Sequence, residues 1–322
     1  MSISGFVDLQ VNGHRGVDFS DPNLTEEAFV RSSRELLAEG TAAFLPTIYT
    51  APVDVFRRNL PLIAAVMARP EFEGRLLGFH IEGPFISREP GAVGAHRPEC
   101  VLPPNAAILD DMHRWSGGRI KILTIAAEVP GAAEFARHAV GLGMTVSLGH
   151  QLAGEADLDR LAAAGATALT HLGNGVPNML PRHPNPIWAG LAEDRLWAML
   201  ITDGHHLPGP VVKVMIRAKG IAGTAVVSDQ APPAGMPPGR YGDAVLEPNG
   251  KLHLPAKGCL AGSGSTMLRC MNFLASLGFL SLDEMLQLGY YNPLKIIGVK
   301  PEAVRGQGRL EYDATRRVFS MK

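Results

Sequence analysis

Eight short apolar runs, most of them separated by stretches of helical period, constrain this chain more than any other feature. They occupy 5–11, 42–47, 76–81, 121–126, 145–148, 168–170, 197–201 and 224–228. The runs are continuous rather than alternating, which is the pattern of strands buried on both faces in a parallel sheet covered by helices. Segments 25–38, 53–68, 105–115, 132–142, 155–164 and 210–218 carry the helical pattern. Thr25 stands three residues before Ala28 with Glu26 and Glu27 in the first turn, an arrangement that caps a helix and suits its dipole. Gly40, Gly143, Gly165 and Gly220 sit where helices should stop. Eight buried strands with crossover helices predict a (β/α)8 TIM barrel, with an open doubly wound sheet as the alternative.

Beyond the eighth run the pattern changes. A Pro/Gly loop covers 232–242, and Asn249-Gly250 lies between Val245-Leu246 and Leu252-His253-Leu254, the signal of a hairpin. Ser263 or Ser265 is expected to cap a helix through Leu277, and Ser281 another through Leu288; 309–321 reads as two short strands about a turn. The barrel is accordingly assigned to residues 1–300, including a hairpin insertion near 245–255, and a short C-terminal β extension to 301–322.

Composition narrows the class. With 30 basic and 31 acidic residues, a net charge of -1 and no long basic run, neither nucleic acid nor an anionic membrane surface is expected as the main partner. A hydrophobic content of 46% can bury a large core, which excludes a disordered chain. Cys100, Cys259 and Cys270 are widely spaced without a CxxC pair, so neither a disulfide framework nor a cysteine zinc site is indicated. The opening MSISGFVDLQVNG lacks a basic stretch followed by an apolar one, and no run of about 20 residues is free of charges and turn signals. A cytoplasmic, soluble protein is expected.

In a barrel of this type the active site is built at the C-terminal ends of the strands. Polar residues there are Gln10, Asn12 and His14 after the first run, His80 and Glu82 at the third, and His150 after the fifth. His171 and Asn174 follow the sixth, Asp203, His205 and His206 the seventh, and Asp229 the eighth. Any one histidine in such a position is more often a satisfied polar residue than a ligand. One carboxylate and two histidines from different strands can nevertheless hold a divalent metal and leave positions open, and Glu82, His150 and His171 are the candidate ligands. Asp229 is placed to take a proton from a water attacking a carbonyl and to pass it to the leaving nitrogen. Phosphate-loop, dinucleotide and HExxH patterns are missing, and Gly262-Ser263-Gly264-Ser265 does not match GxSxG.

Several segments together resemble the N-acetylglucosamine-6-phosphate deacetylase family of the amidohydrolase superfamily. They are Phe6-Val-Asp-Leu-Gln-Val-Asn-Gly13, Leu45-Pro-Thr47, Gly78-Phe-His-Ile-Glu-Gly-Pro84, Ser147-Leu-Gly-His150, Thr170-His-Leu-Gly-Asn174, Thr202-Asp-Gly-His-His206, Ser228-Asp-Gln-Ala-Pro-Pro-Ala-Gly235 and Leu260-Ala-Gly-Ser-Gly-Ser-Thr-Met267. The resemblance runs in order from residue 5 to about residue 299. It implies a metal-dependent deacetylase of an amino-sugar phosphate, with Glu82, His150 and His171 as ligands and Asp229 as acid/base. It further implies that His96 polarises the acetyl carbonyl, that Asn174 and Gly175 line the sugar site, and that Arg182 and His206 contact phosphate.

Many amidohydrolases carry HxH at the end of the first strand and bind a second metal there; this chain has Gln10-Val11-Asn12. Amides are poor ligands for zinc or iron compared with imidazole, so one divalent ion is expected, zinc first, with iron or another divalent ion as alternatives. The family reads His-Leu-Tyr/Phe-Asn-Ala-Met at the sixth strand, whereas this chain reads His171-Leu-Gly-Asn-Gly-Val176. The family's accessory β-sandwich is expected to be reduced or absent, because the first barrel strand begins at Gly5. The resemblance also implies a homodimer. The alternatives are hydrolysis of a different N-acyl or cyclic amide by the same machinery, and a non-catalytic barrel retained for binding or assembly.

Overall fold

The protein is described by a computed structural model covering residues 3–322. Eight parallel strands form the barrel: β1 (Phe6–Val11), β2 (Thr41–Tyr49), β3 (Phe79–Glu82), β4 (Ile120–Ile125), β5 (Thr145–Leu148), β6 (Ala166–Leu169), β7 (Trp197–Ile201) and β8 (Thr224–Val227). Each pairs with its neighbour in sequence. The ring closes where Val11 bridges Gln230 in parallel, with Asn12 N donating to Gln230 O at 2.8 Å. All eight expected runs therefore become barrel strands. The third starts three residues later than its apolar run, because Gly78 turns with φ +132° and Leu76 only bridges Phe44.

Outside the strands lie α1 (Glu26–Ala38), α2 (Val53–Met67), α3 (Ala106–Trp115), α4 (Ala132–Gly141), α5 (Glu155–Ala163), α6 (Pro186–Ala192) and α7 (Gly209–Lys219). Thr25 Oγ1 accepts from Ala28 N at 3.2 Å, the cap its position predicted. The seven residues of α6 were not foreseen; the helix is short and follows a proline-rich loop, with Asn185 capping Ile187 and Trp188. Phe6, Leu9, Phe44, Phe79, Ile122, Val146 and Val226 are fully buried in the continuous core between strands and helices.

Asp8, buried in β1, fastens the first strand to the last. Its carboxylate accepts from Ser228 N at 3.1 Å, from Gln10 N at 3.2 Å and from the Ser228 hydroxyl. Burial, against these hydrogen bonds, pushes its pKa up to about 6. Removing the carboxylate leaves buried donors without partners, at roughly 1–3 kcal/mol each. Asp8→Ala is expected to lower unfolding stability by about 3 kcal/mol, checked by denaturant unfolding, and a loss under about 0.5 kcal/mol would remove this fastening from the account.

After β8 a four-stranded antiparallel sheet follows: β9 (Gly239–Tyr241), β10 (Ala244–Leu246), β11 (Leu252–Leu254) and β12 (Cys259–Leu260). The expected hairpin is its middle pair, with Leu246 opposite Leu252. Helix α8 (Met267–Ser276) starts from Thr266 rather than from Ser263 or Ser265. Ser263 Oγ is otherwise engaged, donating to Asp203 Oδ2 at 3.1 Å and accepting from Ser265 N at 3.0 Å. Ser281 does cap its helix, in a reciprocal box with Glu284, and that helix continues through a wide turn into Asn292–Ile296. The tail forms β13 (Leu310–Asp313) and β14 (Val318–Met321), paired antiparallel, and Phe319 meets Phe6 edge-on at 5.1 Å. No helix among the described residues is long and apolar enough to cross a membrane.

Candidate metal centre and active site

Glu82 is the last residue of β3, while His150, His171 and Asp229 each lie just past a strand end. The last three take left-handed backbone conformations, with φ of 50°, 33° and 49°, although none is glycine. Such conformations cost of order 1–3 kcal/mol each and persist only where the surroundings enforce them, as they do at functional sites. Here the turn after each buried strand swings the side chain inward over the barrel.

The ligand atoms of Glu82, His150 and His171 all lie within 4.8 Å of one another, and all three residues are buried. His171 Nε2 is 2.9 Å from Glu82 Oε1 and 3.1 Å from His150 Nε2. His150 Nδ1 lies 2.8 Å from Ala92 O, and since a carbonyl can only accept, Nδ1 carries the proton. Nε2 of His150 is thereby turned into the cluster, as in metal sites where the second ring nitrogen is anchored to a carbonyl. Ligand bonds of about 2.1 Å at tetrahedral angles separate ligand atoms by about 3.4 Å, and His150 Nε2 to Glu82 Oε1 is 3.4 Å. Two imidazoles and a carboxylate in this arrangement fit a divalent ion with open positions.

His96 completes the cluster from the loop after β3. Its Nε2 is 3.0 Å from His150 Nε2 and 3.9 Å from Glu82 Oε2. Burial, reinforced by the neighbouring His150, pushes the His96 pKa down to about 3, so its imidazole is neutral and can offer one N–H. Burial opposes ionisation of Glu82, but the adjacent His150 and His171 imidazoles outweigh it and hold the carboxyl well below the usual range. Glycines make this packing possible: a Cβ on Gly175, where φ is +61°, would stand 3.0 Å from His150 Nδ1.

Asp229 is tied to the cluster through amides. Gln10 Nε2 donates to Glu82 Oε1 at 2.8 Å and to Asp229 Oδ1 at 2.9 Å, and Asn12 Nδ2 donates to the same Oδ1 at 2.8 Å. Where two-metal relatives would place HxH, two amides thus hold two carboxylates together. Burial, then the charge of Glu82, pushes the Asp229 pKa up to about 6, a value at which a carboxyl can both accept and release a proton near neutrality.

His206 is held by Asp203: Nδ1 lies 2.8 Å from Oδ2, and the backbone N–H groups of His205 and His206 each reach Oδ1 at 2.9 Å. Although burial opposes it, the His206 hydrogen bond leads the effects that lower the Asp203 pKa to about 2. Asn174 Nδ2 donates to His171 O at 3.2 Å, behind a candidate ligand. Arg182 is exposed on the loop before α6, and no described contact joins its side chain to the cluster. His80 is not a ligand. Its Nδ1 lies 2.9 Å from Leu9 O and its Nε2 2.7 Å from Thr124 Oγ1, beneath the site. The structure thus brings Glu82, His96, His150, His171 and Asp229 together and leaves Arg182 apart. The engagement of Asp203 with His206 was not foreseen; its only signal was an acidic residue three positions before a histidine at a strand end.

Curated relatives resolve the family. An N-acetylglucosamine-6-phosphate deacetylase from Bos taurus is 33% identical over 325 aligned positions, covering 96% of this chain and 76% of the relative. The chain belongs to the N-acetylglucosamine-6-phosphate deacetylase family. An N-acetylgalactosamine-6-phosphate deacetylase from Escherichia coli O157:H7 is 30% identical, covering 91% of this chain and 77% of that relative. Among solved structures, the N-acetylglucosamine-6-phosphate deacetylase from Thermotoga maritima superposes with a TM-score of 0.83 at 26% identity, covering 98% of this chain and 85% of that one. No family model matches the chain. These deacetylase relatives match 91–98% of the chain and so extend across the barrel.

Proposed function

We propose that this chain hydrolyses the N-acetyl amide of an amino-sugar 6-phosphate, N-acetylglucosamine 6-phosphate first, to the free amine and acetate. The observation that carries this is the convergence of Glu82, His150 and His171 beside Asp229 at the strand ends, in a member of this deacetylase family. We assign one divalent ion, zinc first, to those three ligands. Bound there, it supplies Lewis acidity and brings the pKa of water down to about 7.

The side chains then divide the chemistry. Gln10 and Asn12 occupy Asp229 Oδ1, which leaves Oδ2 for the proton of the attacking water. That water adds to the acetyl carbon, Asp229 takes its proton, and the same proton goes to the nitrogen as the C–N bond breaks. Neutral His96 donates to the acetyl oxygen as charge develops on it. Asn174 and Gly175 are assigned to the sugar, and His206 and Arg182 to the phosphate. Asp203 fixes the His206 imidazole, so that Nε2 is the nitrogen left to meet an anion.

Compartment and assembly are part of the proposal: a cytoplasmic homodimer. Met179 and Trp188, 88% and 51% exposed, flank Arg182 on its loop and on α6, a surface suited to a second copy. Light scattering on the purified protein distinguishes dimer from monomer.

A second substrate class is favoured by one observation, the glycines at 173 and 175 where the family carries an aromatic and an alanine. A Cβ on Gly173 would face Leu207 and Met215 at 3.0 and 3.3 Å, away from the ligands, so the backbone here does not present an aromatic wall to the sugar. Acetate release should be measured on N-acetylglucosamine and N-acetylgalactosamine, each with and without the 6-phosphate, and on cyclic amides. Release from the phosphorylated glucosamine derivative with kcat/KM at least about tenfold above its unphosphorylated form is expected, as for one charge-assisted contact. Equal rates would remove the phosphate from the assignment, and turnover of a cyclic amide alone would replace it.

A further inference from the structure

We propose that Lys257 is a positioning residue, a latch by which the small sheet holds the loop carrying His96 in place across the mouth of the barrel. Its catalytic consequence rests on the deacetylase assignment above, whereas the latch itself does not. Lys257 sits in the turn between β11 and β12, far from His96 in sequence. Its Nζ nevertheless donates to Ala95 O and to His96 O, both at 3.1 Å. Two successive carbonyls of one loop thus share one ammonium, and hydrogen bonds from a charged donor are the stronger kind. The turn that presents the ammonium is itself closed, with Lys257 N and Gly258 N both donating to Leu254 O, at 3.1 and 2.9 Å.

The other end of the same sheet is anchored too. Asn249 O, in the turn between β10 and β11, lies 3.2 Å from His205 Nε2. His96 follows β3 and His205 follows β7, and strands four apart in an eight-stranded barrel lie on opposite sides of the ring. A sheet that touches both loops therefore bridges the mouth. Apart from the bond between Ala92 O and His150 Nδ1, the other backbone bonds around His96 are local: Val93 N to Glu89 O at 3.0 Å, His96 N to Val93 O at 3.2 Å and Cys100 N to Arg97 O at 3.0 Å, so the 93–100 stretch gains a distant anchor from Lys257.

The test compares wild type, Lys257→Met and Lys257→Arg, with hydrogen exchange and kinetics on the same preparations. Exchange at the amides of residues 93–100 is expected to be at least about tenfold faster in Lys257→Met, which loses both bonds from the ammonium, and to return towards wild type in Lys257→Arg. On N-acetylglucosamine 6-phosphate, kcat should fall about tenfold in Lys257→Met with KM changed less than about twofold, with recovery in Lys257→Arg, because His96 acts on charge that develops after binding. Metal content and the thermal midpoint should match wild type, which separates a displaced loop from a damaged fold. Unchanged exchange in Lys257→Met overturns the latch, and faster exchange without a fall in kcat overturns its positioning role in catalysis. A wild-type protein that releases no acetate sinks the deacetylase assignment instead, and the exchange result still decides whether the latch exists.

Discussion

Replacing Asp229 by asparagine is expected to reduce kcat for acetate release by about 10² to 10⁴, the usual contribution of a positioned acid/base. The substitution is nearly isosteric, and its carbonyl oxygen can keep accepting from Gln10 and Asn12 as Oδ1 does now. What it removes is the group that takes a proton. Metal content is therefore expected to stay at the wild-type level, because the ligand cluster of Glu82, His150 and His171 does not include Asp229. Turnover and metal analysis of one preparation separate the possibilities. Unchanged turnover would remove Asp229 from the chemistry, and loss of metal together with turnover would make it a ligand.

The second large effect is expected at Glu82. It is the one carboxylate of the cluster, and it receives hydrogen bonds from Gln10 and from the His171 imidazole. Groups that merely support a ligand are worth roughly 10- to 100-fold in metal affinity, so deleting the anionic ligand should cost more than about 100-fold. Glu82→Ala should leave the purified protein with little metal and abolish turnover, as read by elemental analysis and acetate release. The folded structure should survive in circular dichroism, since removing this carboxylate also removes the repulsion that burial imposes between Glu82 and Asp229. Full metal occupancy in Glu82→Ala would contradict the ligand set.

Much of this was legible in the residues because a buried parallel barrel writes itself plainly. Each of β1 to β8 is a short apolar run, and the ends of β3, β5, β6 and β8 are marked by the polar residues that turn into the site: Glu82, His150, His171 and Asp229. Partners set by three-dimensional approach were not legible. Gln10 and Asn12 read only as poor ligands, yet they bridge Asp229 and, through Gln10, Glu82. Ser263 looked like a helix cap, but Asp203 competes for its hydroxyl from another strand end. The hairpin at Asn249-Gly250 was visible from its turn, whereas β9 and β12, three and two residues long, are too short to announce themselves. Lys257 resembles any solvated surface lysine until the fold carries it to the carbonyls of Ala95 and His96. Local pattern identifies strands and the residues at their ends; contacts between distant loops belong to the tertiary structure.

The central claim is a deacetylase centre that works with one metal, in which amides at Gln10 and Asn12 stand where two-metal enzymes carry imidazoles. It is tested most directly by removing metal with a chelator and titrating zinc back while acetate release from N-acetylglucosamine 6-phosphate is followed. The expected result is no turnover without metal and a linear rise that breaks at one equivalent per chain. A break at two equivalents, or full turnover by the metal-free protein, would contradict it.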